Sequence, residues 1–172
     1  AGACSSCDGL GVQQVFDPEK LISHPELSLA EGVIKGWDRR SVFYFNQLQS
    51  VAEHYRFTLE TPWQELARHE REVILHGSGH DEIAFHYVND RGRKVTRQHP
   101  FEGILPNLQR RYRETESNMV REELARYITV QPCPACHGSR LRKESRHVFI
   151  DERSLPEMVH LPIGEAWAYF KT

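Results

Sequence analysis

Four cysteines carry the reactive chemistry of this 172-residue chain, and all four lie in two Cys-x-x-Cys pairs, Cys4 with Cys7 and Cys133 with Cys136. That spacing lets two thiolates reach one ion from a tight turn. Two such knuckles make the tetrahedral four-sulfur shell that Zn²⁺ favours. Each pair runs into its own glycine, in Cys7-Asp8-Gly9-Leu10-Gly11 and in Cys136-His137-Gly138-Ser139-Arg140. Glycine permits the positive-φ turn that aims backbone N–H groups at thiolate sulfur. Disulfides are the weaker reading for a chain of cytosolic character. A thioredoxin-type redox pair belongs in a βαβ setting that the pattern lacks. Either pair could instead complete a site with residues outside this chain. The 125 residues between Cys7 and Cys133 exceed any single zinc finger and read as a domain inserted into a zinc module.

A second chemistry is charge. The net charge is −2, yet residues 107–147 hold nine Lys and Arg against five Asp and Glu. Arg110, Arg111, Arg113, Arg121 and Arg126 fall in a helical pattern, followed by Arg140, Arg142, Lys143 and Arg146 after the second knuckle. At helical spacing Arg110, Arg113 and Arg121 lie near one face, which suits a phosphate backbone. Glu114, Glu116, Glu122 and Glu123 interleave with these arginines, so a solvated, self-paired helix face is the plainer alternative. Arg91, Arg93, Lys94 and Arg97 make a smaller cluster at a hairpin.

Other chemistries fail on spacing. His69-Glu70 meets Val73 where a zincin needs its second histidine. His76 and His80 are four apart, but Gly77-Ser78-Gly79 breaks the helix that would align them. Ser78 has His76 two residues back rather than the glycine of a nucleophile elbow, and no phosphate-binding loop is present. The chain reads as non-catalytic.

The elements that must position these groups follow from periodicity. Phe43, Tyr44, Leu48, Val51, Ala52 and Tyr55 form a 3.6-residue stripe with Asp38 as expected cap. Thr61-Pro62, with Gln64 three residues after the threonine, predicts a second helix. Glu72 to Leu75 reads as a strand, and residues 83–88 and 93–97 as a hairpin turning at Asn89-Asp90-Arg91-Gly92. Residues 101–128 read as one long helix or two broken near Thr115 to Ser117. Residues 146–150 read as a strand and 163–170 as a short helix. Residues 12–36, rich in turn formers, read as loop with short strands. The expected fold class is α+β, mixed helices with a small antiparallel hairpin, inserted into a four-cysteine zinc module. Its base is residues 1–11 with 132–172, and the insertion is 12–131.

At 39% hydrophobic, 27% charged and mean hydropathy −0.60, the composition fits a globular domain able to bury a core. No run approaches the length of a membrane span, and Ala1-Gly2-Ala3-Cys4 has no secretory pattern, so a cytoplasmic protein without membrane partners is expected. The absent initiator Met reads as a segment of something larger.

Residues 4–11 share a Cys-x-x-Cys-x-Gly-x-Gly form with chaperone zinc domains of the DnaJ type, but those need four close repeats. Far more of the chain is similar to another family. The motifs are Ala3-Cys4 to Gly11, Gly36-Trp37-Asp38-Arg39-Arg40, Asn89 to Gly92, His99-Pro100-Phe101-Glu102-Gly103, Arg110 to Ser117, and Cys133 to Leu141. In these the chain resembles the UvrA family, damage-recognition subunits of the bacterial ABC excinuclease, over essentially its whole length. The resemblance implies that Cys4, Cys7, Cys133 and Cys136 share one structural Zn²⁺. It implies an insertion domain that projects toward the DNA-binding surface of a dimer and helps in handling damaged duplex DNA. It implies nucleotide excision repair, the rest of the parent chain as partner, and UvrB bound through the parent rather than through this segment. Walker A, signature and Walker B motifs lie outside these residues, so no ATP site is expected here. The candidate DNA-contacting residues are Arg110, Arg111, Arg113, Arg121, Arg140, Arg142, Lys143, Arg93 and Lys94. A protein-interaction insert that packs on other domains of the parent or on a repair partner, without direct DNA contact, is the alternative.

Overall fold

A computed structural model describes residues 2–88 and 93–171. The hairpin turn expected at Asn89 to Gly92, with Arg91, lies outside the described residues. In chain order the elements are β1 (Val12–Phe16), α1 (Pro18–Leu21), α2 (Val42–Tyr55), α3 (Arg68–His76), β2 (Glu82–Val88), β3 (Lys94–Pro100), α4 (Ile104–Glu114), α5 (Asn118–Ala125), β4 (Ile128–Pro132), α6 (Lys143–Arg146), β5 (Phe149–Ile150), β6 (Arg153–Ser154), α7 (Leu155–Val159) and α8 (Ile163–Lys171). The sheets are two-stranded: β1 with β4, β2 antiparallel to β3, and β5 antiparallel to β6. This is the expected α+β class.

The chain divides into two compact units. One combines the residues up to Val15 with those from Thr129 onward, and the other is Phe16–Ile128.

The middle unit has a true core of twenty-one buried apolar residues, with Ile34, Leu48, Val51, Ile74, Ile83 and Ile104 fully enclosed. Trp37 lies edge-on to Phe101 at 6.4 Å, and Phe85 packs against the same ring. The predicted stripe forms α2, which buries Leu48, Val51 and Ala52. The helix begins after Ser41 rather than Asp38. Asp38 is instead occupied by the Arg40 backbone N–H and guanidinium, both of which donate to its carboxylate. The helix expected from Thr61 shrinks to one 3₁₀ turn at Trp63–Glu65. The turn ends at Leu66, whose backbone is extended (ψ 141°) and whose side chain is buried in the core, while the Trp63 and Gln64 N–H groups donate to the carbonyls of Leu27 and Pro25.

Glu72 to Leu75, expected as a strand, is helical within α3. The Glu70 carboxylate accepts the Ala67 N–H at the start of that helix, and Ile74 and Leu75 bury one face. A short Val-Ile-Leu run fits either state until capping and packing decide it. The helix ends at Gly77, where a Cβ would meet the Phe101 carbonyl oxygen at 2.5 Å, and Gly103 lies against the same backbone from the other side. Ser78 ties this crossing, accepting the Phe101 N–H and donating to the Asp81 carbonyl. Residues 12–36, expected as loop with short strands, hold β1, the unexpected short helix α1 capped by Asp17, and loop over 22–36, which supplies Leu29, Val33 and Ile34 to the core. Of the two readings of 101–128 the broken one holds: α4 ends at Glu114, and Ser117 caps α5 by accepting the Val120 N–H.

The unit made from the chain ends is different in kind. Among the described residues its buried apolar side chains are the four cysteines and Met158. It also carries ten of the thirteen exposed large apolar side chains, Trp167 at 64% and Ile163 at 89% exposure among them.

Candidate metal centre and nucleic-acid interface

The two knuckles are built to one plan. After each second cysteine the backbone takes positive φ at three matching positions: Asp8, Gly9 and Gly11, and His137, Gly138 and Arg140. In each, the third residue past the second cysteine donates back to that cysteine's carbonyl, Leu10 to Cys7 at 2.8 Å and Ser139 to Cys136 at 3.0 Å. The knuckles then hold each other reciprocally. Cys4 N–H donates to the Arg140 carbonyl at 2.8 Å, and Cys133 N–H to the Gly11 carbonyl at 2.9 Å. Position 11 demands glycine, since a Cβ there would meet Arg140 Cγ at 2.8 Å and the Gly138 oxygen at 2.9 Å. Arg140 takes the matching left-handed conformation with a full side chain.

This frame brings the four sulfurs together. All lie within 4.8 Å of one another, and every cysteine is buried. Cys7 Sγ and Cys136 Sγ are 3.7 Å apart. A tetrahedron with metal–sulfur bonds of about 2.3 Å has an edge of about 3.8 Å, so the spacing matches a four-thiolate metal shell. The thiols are unpaired, with no disulfide among the described residues. Gly11 N–H donates to Cys7 Sγ at 3.3 Å. Burial pushes the Cys7 thiol up to about 11 against that hydrogen bond. Burial also raises Cys133, but the N–H groups of Cys136 and Ala135 and the neighbouring thiols outweigh it and bring it down to about 6. Cys133 is thus the more readily ionised of these two thiols, and a cation held between them would displace the proton of Cys7.

In the middle unit the cationic residues of α4 and α5 are placed unequally. The break after Glu114 means that Arg110 and Arg113 do not share a continuous helix with Arg121. Arg110 forks onto Glu102, Nε to Oε1 at 2.8 Å and Nη2 to Oε2 at 3.0 Å, and reaches Glu114 at 3.3 Å. The Arg110 guanidinium holds the Glu102 carboxyl below the usual range, and Glu102 in turn raises Arg110. Arg111 lies over the Tyr44 ring, 5.6 Å from its centroid. Arg121 donates to the Thr115 carbonyl. Arg113 is exposed without a partner among the described residues.

Arg93 and Lys94 are exposed at the start of the hairpin's second strand. Lys94 borders a groove of about 450 Å³ with Asn46, Gln49, Glu53, His86 and Tyr87. In the other unit Arg140, Arg142 and Lys143 are exposed, with Arg142 3.6 Å from Glu144. The sequence pattern did not single out Arg146 as a site residue, although it lies one helical turn from Arg142. No helix among the described residues is long and apolar enough to cross a membrane.

Comparison with known proteins places this geometry. The family model described as UvrA DNA-binding domain matches residues 17–126. The UvrABC system protein A of Pseudomonas aeruginosa is 58% identical over 169 residues, covering 98% of this chain, and that of Escherichia coli K12 is 54% identical over 170 residues, covering 99%. This chain spans 18% of the length of these curated relatives. Its fold is shared with the crystal structure of UvrA2 from Deinococcus radiodurans, TM-score 0.68 at 20% identity, over 99% of this chain and 22% of that one.

Proposed function

The chain belongs to the UvrA family, and on that premise we propose that it is the zinc-held, DNA-contacting part of a nucleotide-excision-repair ATPase. The thiol cluster carries the reading. Four buried sulfurs within 4.8 Å, framed by two reciprocal knuckles, fit one Zn²⁺ held by Cys4, Cys7, Cys133 and Cys136. The ion cross-links the two ends of the chain and supplies no reaction step. The base is residues 1–11 with 132–172 and the insertion 12–131.

DNA contact is supported by the matched domain description over 17–126 and by the cationic run. Of the candidate residues, Arg113, Arg93 and Lys94 in the middle unit and Arg140, Arg142 and Lys143 in the end unit are exposed and within reach of phosphate, while Arg111 lies over Tyr44 and Arg121 donates to the Thr115 carbonyl. Arg110 must first give up its Glu102 fork, which makes it the weakest contact of the set. These groups hold backbone rather than read bases, which suits recognition of distorted duplex. The parent chain supplies ATP hydrolysis, dimerisation and UvrB binding, and the setting is cytoplasmic.

The test joins elemental analysis with duplex binding as salt is varied. One zinc per chain is expected. With six or more phosphate contacts, affinity falls about 10³-fold or more between 50 and 200 mM salt. Affinity that ignores salt overturns DNA contact. It would favour the protein-docking alternative, which the ten exposed apolar side chains of the end unit support.

A further inference from the structure

Beside the thiol cluster lies a cleft of about 250 Å³ lined by Ser5, Ser6, Arg142, Lys143, Glu144 and Arg146, among others. We propose that this cleft is a binding site for a single phosphate group. Three cationic side chains face one carboxylate around it, and Glu144 is already engaged with Arg142 at 3.6 Å. The Nε of Arg146 is buried with no hydrogen-bond partner. The Nε itself is closed to solvent, so it is the rest of this guanidinium, on a residue that lines the cleft and has no side-chain partner among the described residues, that is left to meet an oxyanion there.

The hydroxyls are prepared in the same sense. Ser6 Oγ accepts from Gln13 Nε2 at 2.8 Å, and its backbone carbonyl accepts from the same amide at 2.7 Å. With its lone pair so used, the Ser6 hydroxyl is left to donate its own proton. Ser5 has no competing bond among the described residues. The ligand is thus met by N–H and O–H donors on cationic and hydroxyl side chains, the donor set of phosphate recognition. Both walls belong to the knuckle frame: Ser5 and Ser6 are the two residues between Cys4 and Cys7, and α6 follows the second knuckle. The site extends the DNA-contact reading but does not require it, because a nucleic-acid backbone and a free phosphate present the same oxygens.

The test follows the Arg146 Nε–H signal by NMR in the zinc-loaded 172-residue chain. Inorganic phosphate is titrated at constant ionic strength against sodium chloride. A saturable shift in the millimolar range is expected, weakened about tenfold in Lys143→Gln for loss of one charge-assisted bond. Ser6→Ala should weaken it about threefold; both residues are exposed, so folding is spared. An unmoved Arg146 signal, an equal shift with chloride, or an unchanged titration in Lys143→Gln overturns the site. A short duplex serves as the second probe. If it moves Arg146 and phosphate competes, the natural source is nucleic-acid backbone; if only inorganic phosphate moves it, the source is free phosphate, and either supports the cleft. Salt-dependent duplex binding with Arg146 unmoved overturns the cleft and leaves DNA contact standing elsewhere. Phosphate binding without duplex binding does the reverse.

Discussion

Replacing Cys133 by serine separates the two units energetically. Cys133 is fully enclosed, and its N–H and carbonyl bond to Gly11 and His137. Losing its thiolate should release the proposed Zn²⁺, and with it a clip across the 125 residues between Cys7 and Cys133. Chain entropy alone puts the loss for a loop of that length at about 5 kcal/mol, comparable to the whole stability of a small domain. The end unit has no reserve, since Met158 is its one buried apolar side chain besides the cysteines among the described residues. The middle unit keeps its twenty-one. Hydrogen exchange read by mass spectrometry should therefore show residues 3–12 and 130–146 losing protection while 29–37 and 48–52 keep theirs. Emission from buried Trp37 and Trp63 should be unchanged, with chelator reproducing the pattern in the unaltered chain. Protection of the knuckle segments that survives Cys133→Ser, or loss of both units together at one chelator concentration, refutes the reasoning.

Gly103→Ala should destabilise the middle unit by about 3 kcal/mol in urea unfolding, because φ is +89° and the Cβ runs into the His76–Gly77 backbone. Asp38→Asn should cost about 1–2 kcal/mol at neutral pH, as expected for a hydrogen bond to a charged group. Arg40 depresses the Asp38 carboxyl, so its contribution is present above the unfolded carboxylate range near pH 4 and is lost as pH falls through the lower folded value. Acid titration of stability should accordingly be flatter in Asp38→Asn. Arg113→Glu should reduce duplex affinity and lower the salt slope by about one, measured by fluorescence anisotropy; an unchanged slope removes Arg113 from the interface. Ile163→Lys with Phe170→Lys should leave melting within about 0.5 kcal/mol and zinc content unchanged, since both side chains are exposed.

The thiol cluster was legible because its signal is spacing, which survives without tertiary context. The paired cysteines with trailing glycines lead to the cluster observed, and the α2 stripe leads to a helix that buries the expected residues. Elements decided by tertiary packing were not legible. Thr61-Pro62 has every mark of a helix start, but the turn stops at Leu66, whose extended backbone buries its side chain in the core. Glu72 to Leu75 satisfies strand and helix alike until Glu70 caps the latter. The pairing of the arginines was not legible for a related reason. Arg110 pairs with Glu102 eight residues back across the Gly103 turn, a partner that no helical spacing rule reaches. The helix break at Thr115 to Ser117 then divides the face that periodicity had joined.

The reciprocal hydrogen bonds between Gly11 and Cys133 and between Arg140 and Cys4 also order events in time. During synthesis at about 5–20 residues per second, some 6 to 25 s separate the appearance of the two cysteine pairs. Through that interval Cys4 and Cys7 are an open dithiol, exposed to oxidation and to softer competing ions. The closed shell can form only after the whole intervening domain has been made. A chain that stalls between the pairs therefore carries only half of the four-thiol site.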